Sequence, residues 1–324
     1  MDGHAPRRAN SLDGIRTPRD AMSAASINAQ TGSALDAVSA LPHRSDVKSA
    51  YEYCARLAKS HYENFTIASW LMPREMRPSM HAIYAYARMA DDFADEEHDL
   101  GKLDEWGRGL DLCYAGTPHH PVFIALADTV RRYDIPREPF ADLLVAFRSD
   151  LNFRGFDTLE EILATYTRYS ANPVGRLVLY LFGYRDAERQ HLSDLVCSGL
   201  QLANFWQDVA IDLEKKRIYF PRDDMREFGV APEDLARRVA TPAFIALMRH
   251  EVGVARDMLR RGSELHRIVD RRLSRDILMF AGGGLAILRA IERVGYDVFN
   301  RRPKLTKLDY LRVGFGAMRG RLLG

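Results

Sequence analysis

A chain of 324 residues exceeds the usual domain of roughly 100–200, so it can bury a sizeable core as one large or two small domains. Its 46 lysines and arginines barely outnumber 44 aspartates and glutamates, and the formal net charge of +2 argues against a nucleic-acid partner. Cys54, Cys113 and Cys197 stand far apart with no CxxC or His/Cys cluster, and no apolar run approaches the roughly 20 residues that span a bilayer; both point to a reducing cytoplasm, at most peripheral to the inner face of the membrane.

Met1 to Asp46 contains no aromatic residue and is rich in Ala, Ser, Arg and Asp. So little apolar surface cannot offset the entropy of ordering, and residues 1–46 are expected to be a disordered tail. Its arginines suit a transit peptide, but Asp2, Asp13, Asp20 and Asp36 do not. From Val47 onward apolar residues recur at helical spacing and no run alternates with period two, which predicts an all-α domain over residues 47–324. Breaks fall at Pro73, Gly116 to Pro118, Pro136, Gly183, Pro221, Gly229 to Pro232 and Pro303, with segments of helical length between them. No solenoid period is present, so the expected architecture is a single-domain helical bundle.

In the predicted helix from Met80 to Glu96, the residues Tyr84, Arg88, Asp91 and Asp95 follow at spacings of four, three and four and share one face. Small or apolar Ile83, Ala87, Ala90 and Ala94 lie beside that stripe, so its polar face is expected to look into the protein. Two carboxylates one turn apart in such a place repel each other unless cations sit between them. A second predicted helix, Gly199 to Asp212, repeats the arrangement with Gln201, Asn204, Asp208 and Asp212 among apolar neighbours. On each helix the paired carboxylates are about 6 Å apart along the axis. Hard oxygen donors of this kind suit Mg²⁺, which takes one or two carboxylates and completes its shell with water and phosphate oxygens, so facing stripes would make a diphosphate site. One i,i+4 acidic pair is as readily a solvated helix face; two matching stripes in apolar surroundings weigh against that.

Ile277 to Leu288, with Gly282, Gly283 and Gly284, is too short to span a membrane and reads as a helix packed closely against a cavity wall. Its small residues leave room for a long ligand tail or simply allow tight packing. At the C-terminus Arg301, Arg302, Lys304, Lys307, Arg312, Arg319 and Arg321 accompany Leu311, Val313, Phe315, Leu322 and Leu323, which predicts salt-sensitive association with anionic membranes. Arg301 and Arg302 are either part of a solvated basic patch or, if the fold brings them over the site, part of its mouth.

The segments Ala82 to Asp95 (AIYAYARMADDFAD) and Leu200 to Asp212 (LQLANFWQDVAID) resemble the paired aspartate motifs of squalene and phytoene synthases. The likeness extends to Lys216 to Pro221 (KRIYFP), to Tyr166 ahead of Ala171 to Gly175 (ANPVG) and to the stretch from Cys54 to Pro73, covering nearly all of residues 47–305. Within the family, the segments starting at His61 (HYENF), Ala171 (ANPVG) and Asn204 (NFWQD) are most similar to the hydroxysqualene-forming branch of bacterial hopanoid biosynthesis.

The resemblance implies an isoprenoid synthase fold with a central cavity and a prenyl diphosphate substrate. Carried onto matching positions, it implies that Asp91, Asp95, Asp208 and Asp212, with Asn204, hold several Mg²⁺ ions against the diphosphate. Tyr84, Arg88 and Gln201 share those faces, and His61 and Arg217 are expected at the diphosphate, although a lone histidine among polar neighbours is as often a surface residue. Tyr166 would steer a carbocation or assist proton movement, unless it is a core tyrosine. Phe65, Trp70, Phe205 and Trp206 line the pocket or pack the core, and Pro173 kinks a helix or ends one.

One departure bears on the reaction. Members that condense two prenyl diphosphates commonly carry an arginine immediately before the first aspartate of the second motif, where this chain has Gln207. One cation fewer favours a substrate with one diphosphate, such as presqualene diphosphate, converted to hydroxysqualene without NADPH. The rivals are head-to-head condensation to presqualene diphosphate, squalene or phytoene, and a noncatalytic helical binding protein, which would be expected to lose its metal ligands.

Overall fold

Prolines and capping side chains divide the chain where the sequence pattern breaks. The computed structural model describes residues 47–60, 72–151 and 153–323, and among them every regular element is helical. The expected tail and the candidates His61, Phe65 and Trp70 lie outside the described residues. No described helix is long and apolar enough to cross a membrane.

A first group comprises α1 (Val47–Ser60), α2 (Arg77–Asp95), α3 (Leu100–Tyr114), α4 (Pro121–Tyr133) and α5 (Glu138–Asp150). Prolines sit in the first turns of α2, α4 and α5, where a missing N–H costs no helical hydrogen bond. Asp99 and His120 accept backbone N–H groups at the starts of α3 and α4. α2 packs on α1, α3, α4 and α5. Its Tyr86 is fully buried against the rings of Trp106, Phe123 and Phe140 and donates its hydroxyl to the Phe140 carbonyl at 2.9 Å. That anchor sets the rotation of α2 about its axis and turns Tyr84, Arg88, Asp91 and Asp95 to the other side.

The second group begins with α6 (Leu159–Glu161), which runs on as a π-helical segment, Ile162–Thr167, and continues with α7 (Asn172–Leu181), α8 (Ala187–Glu214), α9 (Arg222–Glu227), α10 (Pro232–Ala236), α11 (Pro242–Ser263), α12 (Arg271–Arg293) and α13 (Lys307–Met318). The 28-residue α8 lies along α11, flanked by α7 and α12. Leu202, Trp206 and Val209 are buried there with Leu247, Val252 and Leu259 of α11 and Leu285 and Leu288 of α12. Emptying such a site, as in Trp206→Ala, typically costs about 3–5 kcal/mol. α5 rests on α7 and joins the groups, so the stripes stand on separately built walls. Pro173 does not kink a helix: it lies in the first turn of α7, after the π segment and a turn, and so marks a helix start.

Candidate active site

On α2, Arg88 bends over its own acidic stripe. Its Nη1 lies 3.0 Å from Asp91 Oδ2 and its Nη2 2.9 Å from Glu96 Oε1, and it also pairs with Asp92. Burial raises the Asp91 carboxyl above the ordinary range, with Asp95 and Glu96 adding to the effect and Arg88 opposing it. Asp92 is pushed up to about 6 by burial first, then by Glu96 and Asp91, against Arg88. Burial likewise raises the half-buried Tyr84 phenol, while Asp95 at the end of the stripe is exposed.

On α8, Asp208 receives a two-point fork from Arg302, with Nε at 2.6 Å from one carboxylate oxygen and Nη2 at 3.0 Å from the other. The Asp212 carboxyl is pushed up to about 6 by burial and by Asp208, while Lys215 and Arg217 oppose. Gln207 is buried and donates Nε2–H to the Pro303 carbonyl at 2.7 Å. The loop between α12 and α13 is thus fastened to α8 twice, by Gln207 and by Arg302. Asn204 opens into a cavity of about 340 Å³ that Leu200, Gln207, Phe280 and Gly283 also line; Gln201, three residues before it, is half-buried.

The chain turns sharply after Asp212. Lys216 takes a left-handed φ of 58°, Arg217 N–H donates to the Asp212 carbonyl at 2.8 Å and Lys216 N–H to Leu213 at 3.0 Å. This Schellman closure of α8 sends Arg217 and Tyr219 back beside the stripe. Tyr219 stacks on Phe205 with ring centroids 3.8 Å apart, and Tyr166 meets both rings, at 5.4 Å from Phe205 and 5.7 Å from Tyr219. Trp206 instead stacks on Phe220 in the core. Tyr166 belongs to the π-helical segment, a distortion that recurs at functional sites. Ser198 of α8 secures that segment, lying 2.8 Å from Thr167 Oγ1 and 3.0 Å from Asn172 Oδ1. Gly175 lets α7 come this close, since a Cβ there would stand 2.4 Å from Ser193 Oγ.

Asp150, the last residue of α5, ties these parts together. Its carboxyl is pushed up to about 6, by burial first and then by Asp95 and Asp91, while Arg217 and the Tyr166 hydroxyl oppose. Its buried Oδ1 has no hydrogen-bond partner. Burial and the Asp150 charge hold the Tyr166 phenol far above its ordinary range. Asp91, Asp95, Asp150, Tyr166, Asp212, Arg217 and Tyr219 therefore share one electrostatic neighbourhood. Asp92, Asp150 and Tyr219 are additions to the residues that sequence spacing singles out. Asp92 is visible as the second acid of an adjacent pair and Tyr219 lies inside the KRIYFP segment, but Asp150 stands in no stripe and only the fold brings it in.

Among the described residues no three His, Cys, Asp or Glu side chains close into a cation cage by themselves. Of the carboxylates gathered here, those of Asp91, Asp150 and Asp212 are raised by burial and by neighbouring acidic charge, and Asp150 Oδ1 is buried without a partner. Such a set fits Mg²⁺ held by one or two carboxylates and completed by diphosphate oxygens and water.

The profile of the squalene/phytoene synthase family matches residues 29–309, beginning inside the segment expected to be a tail. The 15-cis-phytoene synthase of Synechocystis sp. is 31% identical over 296 residues, covering 83% of this chain and 85% of that protein. The phytoene synthase of Thermus thermophilus is 33% identical over 253 residues, covering 77% and 86%. Among solved structures, squalene synthase HpnC from Alicyclobacillus acidocaldarius shares 40% identity with a TM-score of 0.75, over 80% of this chain and 98% of that one. A dehydrosqualene synthase in complex with ligand has the same fold, with a TM-score of 0.77 at 24% identity over 84% and 96%.

Proposed function

The chain belongs to the squalene/phytoene synthase family and is an isoprenoid synthase, and from that premise we propose that it ionises presqualene diphosphate and lets water capture the rearranged cation to give hydroxysqualene. The observation that carries this reading is Gln207. Where condensing members commonly have an arginine, this chain has a buried amide committed to the Pro303 carbonyl, so position 207 offers no charge to a second diphosphate. The 40% identity to squalene synthase HpnC supports the same branch.

In this reading Asp91, Asp95, Asp208 and Asp212, with Asn204, hold Mg²⁺, which supplies Lewis-acid neutralisation of the diphosphate oxygens. Arg88, Arg217 and Arg302 offset the charge that grows on the departing diphosphate as the C–O bond breaks. Arg302 forks both oxygens of Asp208, so a cation on that carboxylate competes with the fork and is expected to loosen it. The rings of Tyr166, Phe205 and Tyr219 wall the reacting carbons, where their π faces favour positive charge and their bulk excludes water until rearrangement is complete. Water then adds to the cation and loses a proton, for which Asp150 beside the Tyr166 hydroxyl is the acceptor at hand. Water is the nucleophile, so no nicotinamide takes part.

Purified protein with Mg²⁺ and presqualene diphosphate, without NADPH, is expected to yield an alcohol carrying oxygen from labelled water, read by gas chromatography with mass spectrometry. Farnesyl diphosphate alone is expected to react poorly. Efficient consumption of farnesyl diphosphate with presqualene diphosphate untouched would sink this assignment. That outcome belongs to a second reading, head-to-head condensation. Two observations favour it: the phytoene synthase relatives, and the Arg302 guanidinium, which brings a cation beside position 207 from elsewhere in the chain.

A further inference from the structure

α13 carries apolar side chains on two opposite faces. Val313, Gly316 and Ala317 are buried on the side packed against α12. On the other side Leu308 (73% exposed), Leu311 (70%), Phe315 (47%) and Met318 (68%) follow at spacings of three, four and three and stand in water. Single exposed apolar residues are ordinary, but four in one stripe on one helix form a patch of the kind that marks an interaction surface. Of the apolar residues the sequence pattern names, Leu311 and Phe315 stand in this outward stripe, Val313 is buried and Leu322 and Leu323 are half-buried; Leu308 and Met318 complete the stripe.

Its charge is one-sided. Exposed Arg312, Arg319 and Arg321 flank the stripe, and the Arg319 guanidinium lies 4.1 Å from the centroid of the Phe315 ring, a polar head held over an apolar body. The one acid of α13, Asp309, is buried and gripped by an Arg293 fork at 3.1 and 2.9 Å, so the outer face offers no compensating negative charge. Beside α13 lies a basin of about 470 Å³ lined by Arg74, Arg275, Met279, Gly314 and Met318, with the mostly buried Asp276 its one acid. Met279 and Gly314 also line the cavity of about 340 Å³ into which Asn204 opens. The arginine-lined basin and the cavity beside α8 thus share a wall at α13.

We propose that α13 is a monotopic docking helix for an anionic lipid bilayer: its outward stripe enters the boundary between headgroups and acyl chains, and its arginines meet lipid phosphates. An apolar band flanked by basic heads is complementary to both layers of such a surface, whereas an apolar protein partner would satisfy the stripe and leave the arginines unmatched. Docked this way, the shared wall sets the cavity beside α8 next to the lipid. Use of that route by an apolar product rests on the reaction proposed above; the docking does not.

Co-sedimentation of the full chain with phosphatidylcholine vesicles and with mixed phosphatidylcholine–phosphatidylglycerol vesicles tests this surface. Wild-type protein is expected to partition onto the anionic vesicles at low salt and several-fold less as salt shortens the Debye length from ~10 Å at 0.1 M to ~3 Å at 1 M. Joint replacement of Leu308, Leu311, Phe315 and Met318 by Ser is expected to lower partitioning by about tenfold or more at an unchanged melting temperature. Arg312→Glu combined with Arg319→Glu is expected to erase the preference for anionic over neutral vesicles. Undiminished partitioning of the four-serine variant overturns the assignment. So does a wild-type dimer in sedimentation velocity that the variant dissolves while wild type ignores vesicles, which would assign the stripe to a second copy.

Discussion

Arg88 lies on Asp91 and Arg302 on Asp208, so the carboxylate that opens each acidic pair has a paired counter-charge, whereas at Asp212 burial and the charge of Asp208 outweigh the more distant Lys215 and Arg217. Relief of like-charge repulsion is therefore expected at Asp212. Asp212→Asn is expected to abolish turnover while leaving stability unchanged or raised by up to about 1 kcal/mol once solvent screening is allowed for. Asp208→Asn breaks a two-point ion pair and is expected to lower stability by roughly 1 kcal/mol as turnover is lost. Chemical denaturation beside a turnover assay separates the two; equal stability changes would mean that the Arg302 fork contributes nothing. Glu251 differs again, being fully buried beside Asp224. Burial, with Asp224 adding to it, pushes its carboxyl from the ordinary 4.5 up to about 9. Between those values the folded chain keeps a proton that the unfolded chain has released, so stability falls as pH rises through the window, by on the order of 3 kcal/mol at pH 7. Glu251→Gln is expected to recover about 1–2 kcal/mol at pH 7 and to flatten stability between pH 5 and 8. An unchanged slope in the variant would place the titration elsewhere.

At the scale of the element, the glycine run of α12 serves both purposes its composition suggests, at different residues. Gly284 faces α8 and α11, where a Cβ would stand 2.8 Å from Leu200 Cδ2 and 2.9 Å from Leu259 Cδ1, whereas a Cβ on Gly283 meets nothing within 4 Å and points to the cavity it lines. Gly284→Leu is expected to cost about 3 kcal/mol or more by overpacking. Gly283→Leu is expected to leave the melting temperature unchanged or slightly raised while lowering kcat/KM for long prenyl substrates, because the added side chain fills ligand space; equal kinetics would remove Gly283 from the cavity wall. Much of this architecture is legible in the chain. Every Pro or Gly break named from composition lies outside a described helix or in its first turn because these residues act on their own backbone, and each aspartate stripe needs only one helical turn to be seen. The π-helical segment around Tyr166, the start of α7 at Pro173 and the approach of Asp150 to Asp91 and Arg217 are not legible. They are set by contacts such as Ser198 with Thr167, 31 residues apart, for which local pattern has no signal.

For the whole molecule, a formal net charge of +2 conceals a division. Residues 301–324 hold seven basic side chains and one acidic one, which leaves the other 300 residues with a formal charge of −4. Near-neutrality here is the cancellation of two unlike parts, with the basic excess gathered in α13 and the segments beside it. A charged plane acts on such a basic end from about a Debye length away, so approach to an anionic surface is expected to be oriented before any side chain touches lipid. Stopped-flow association with anionic vesicles is therefore expected to be faster than that of a protein of equal net charge spread evenly, and to lose that advantage as ionic strength rises. A rate indifferent to salt would mean that the molecule finds its orientation only by collision.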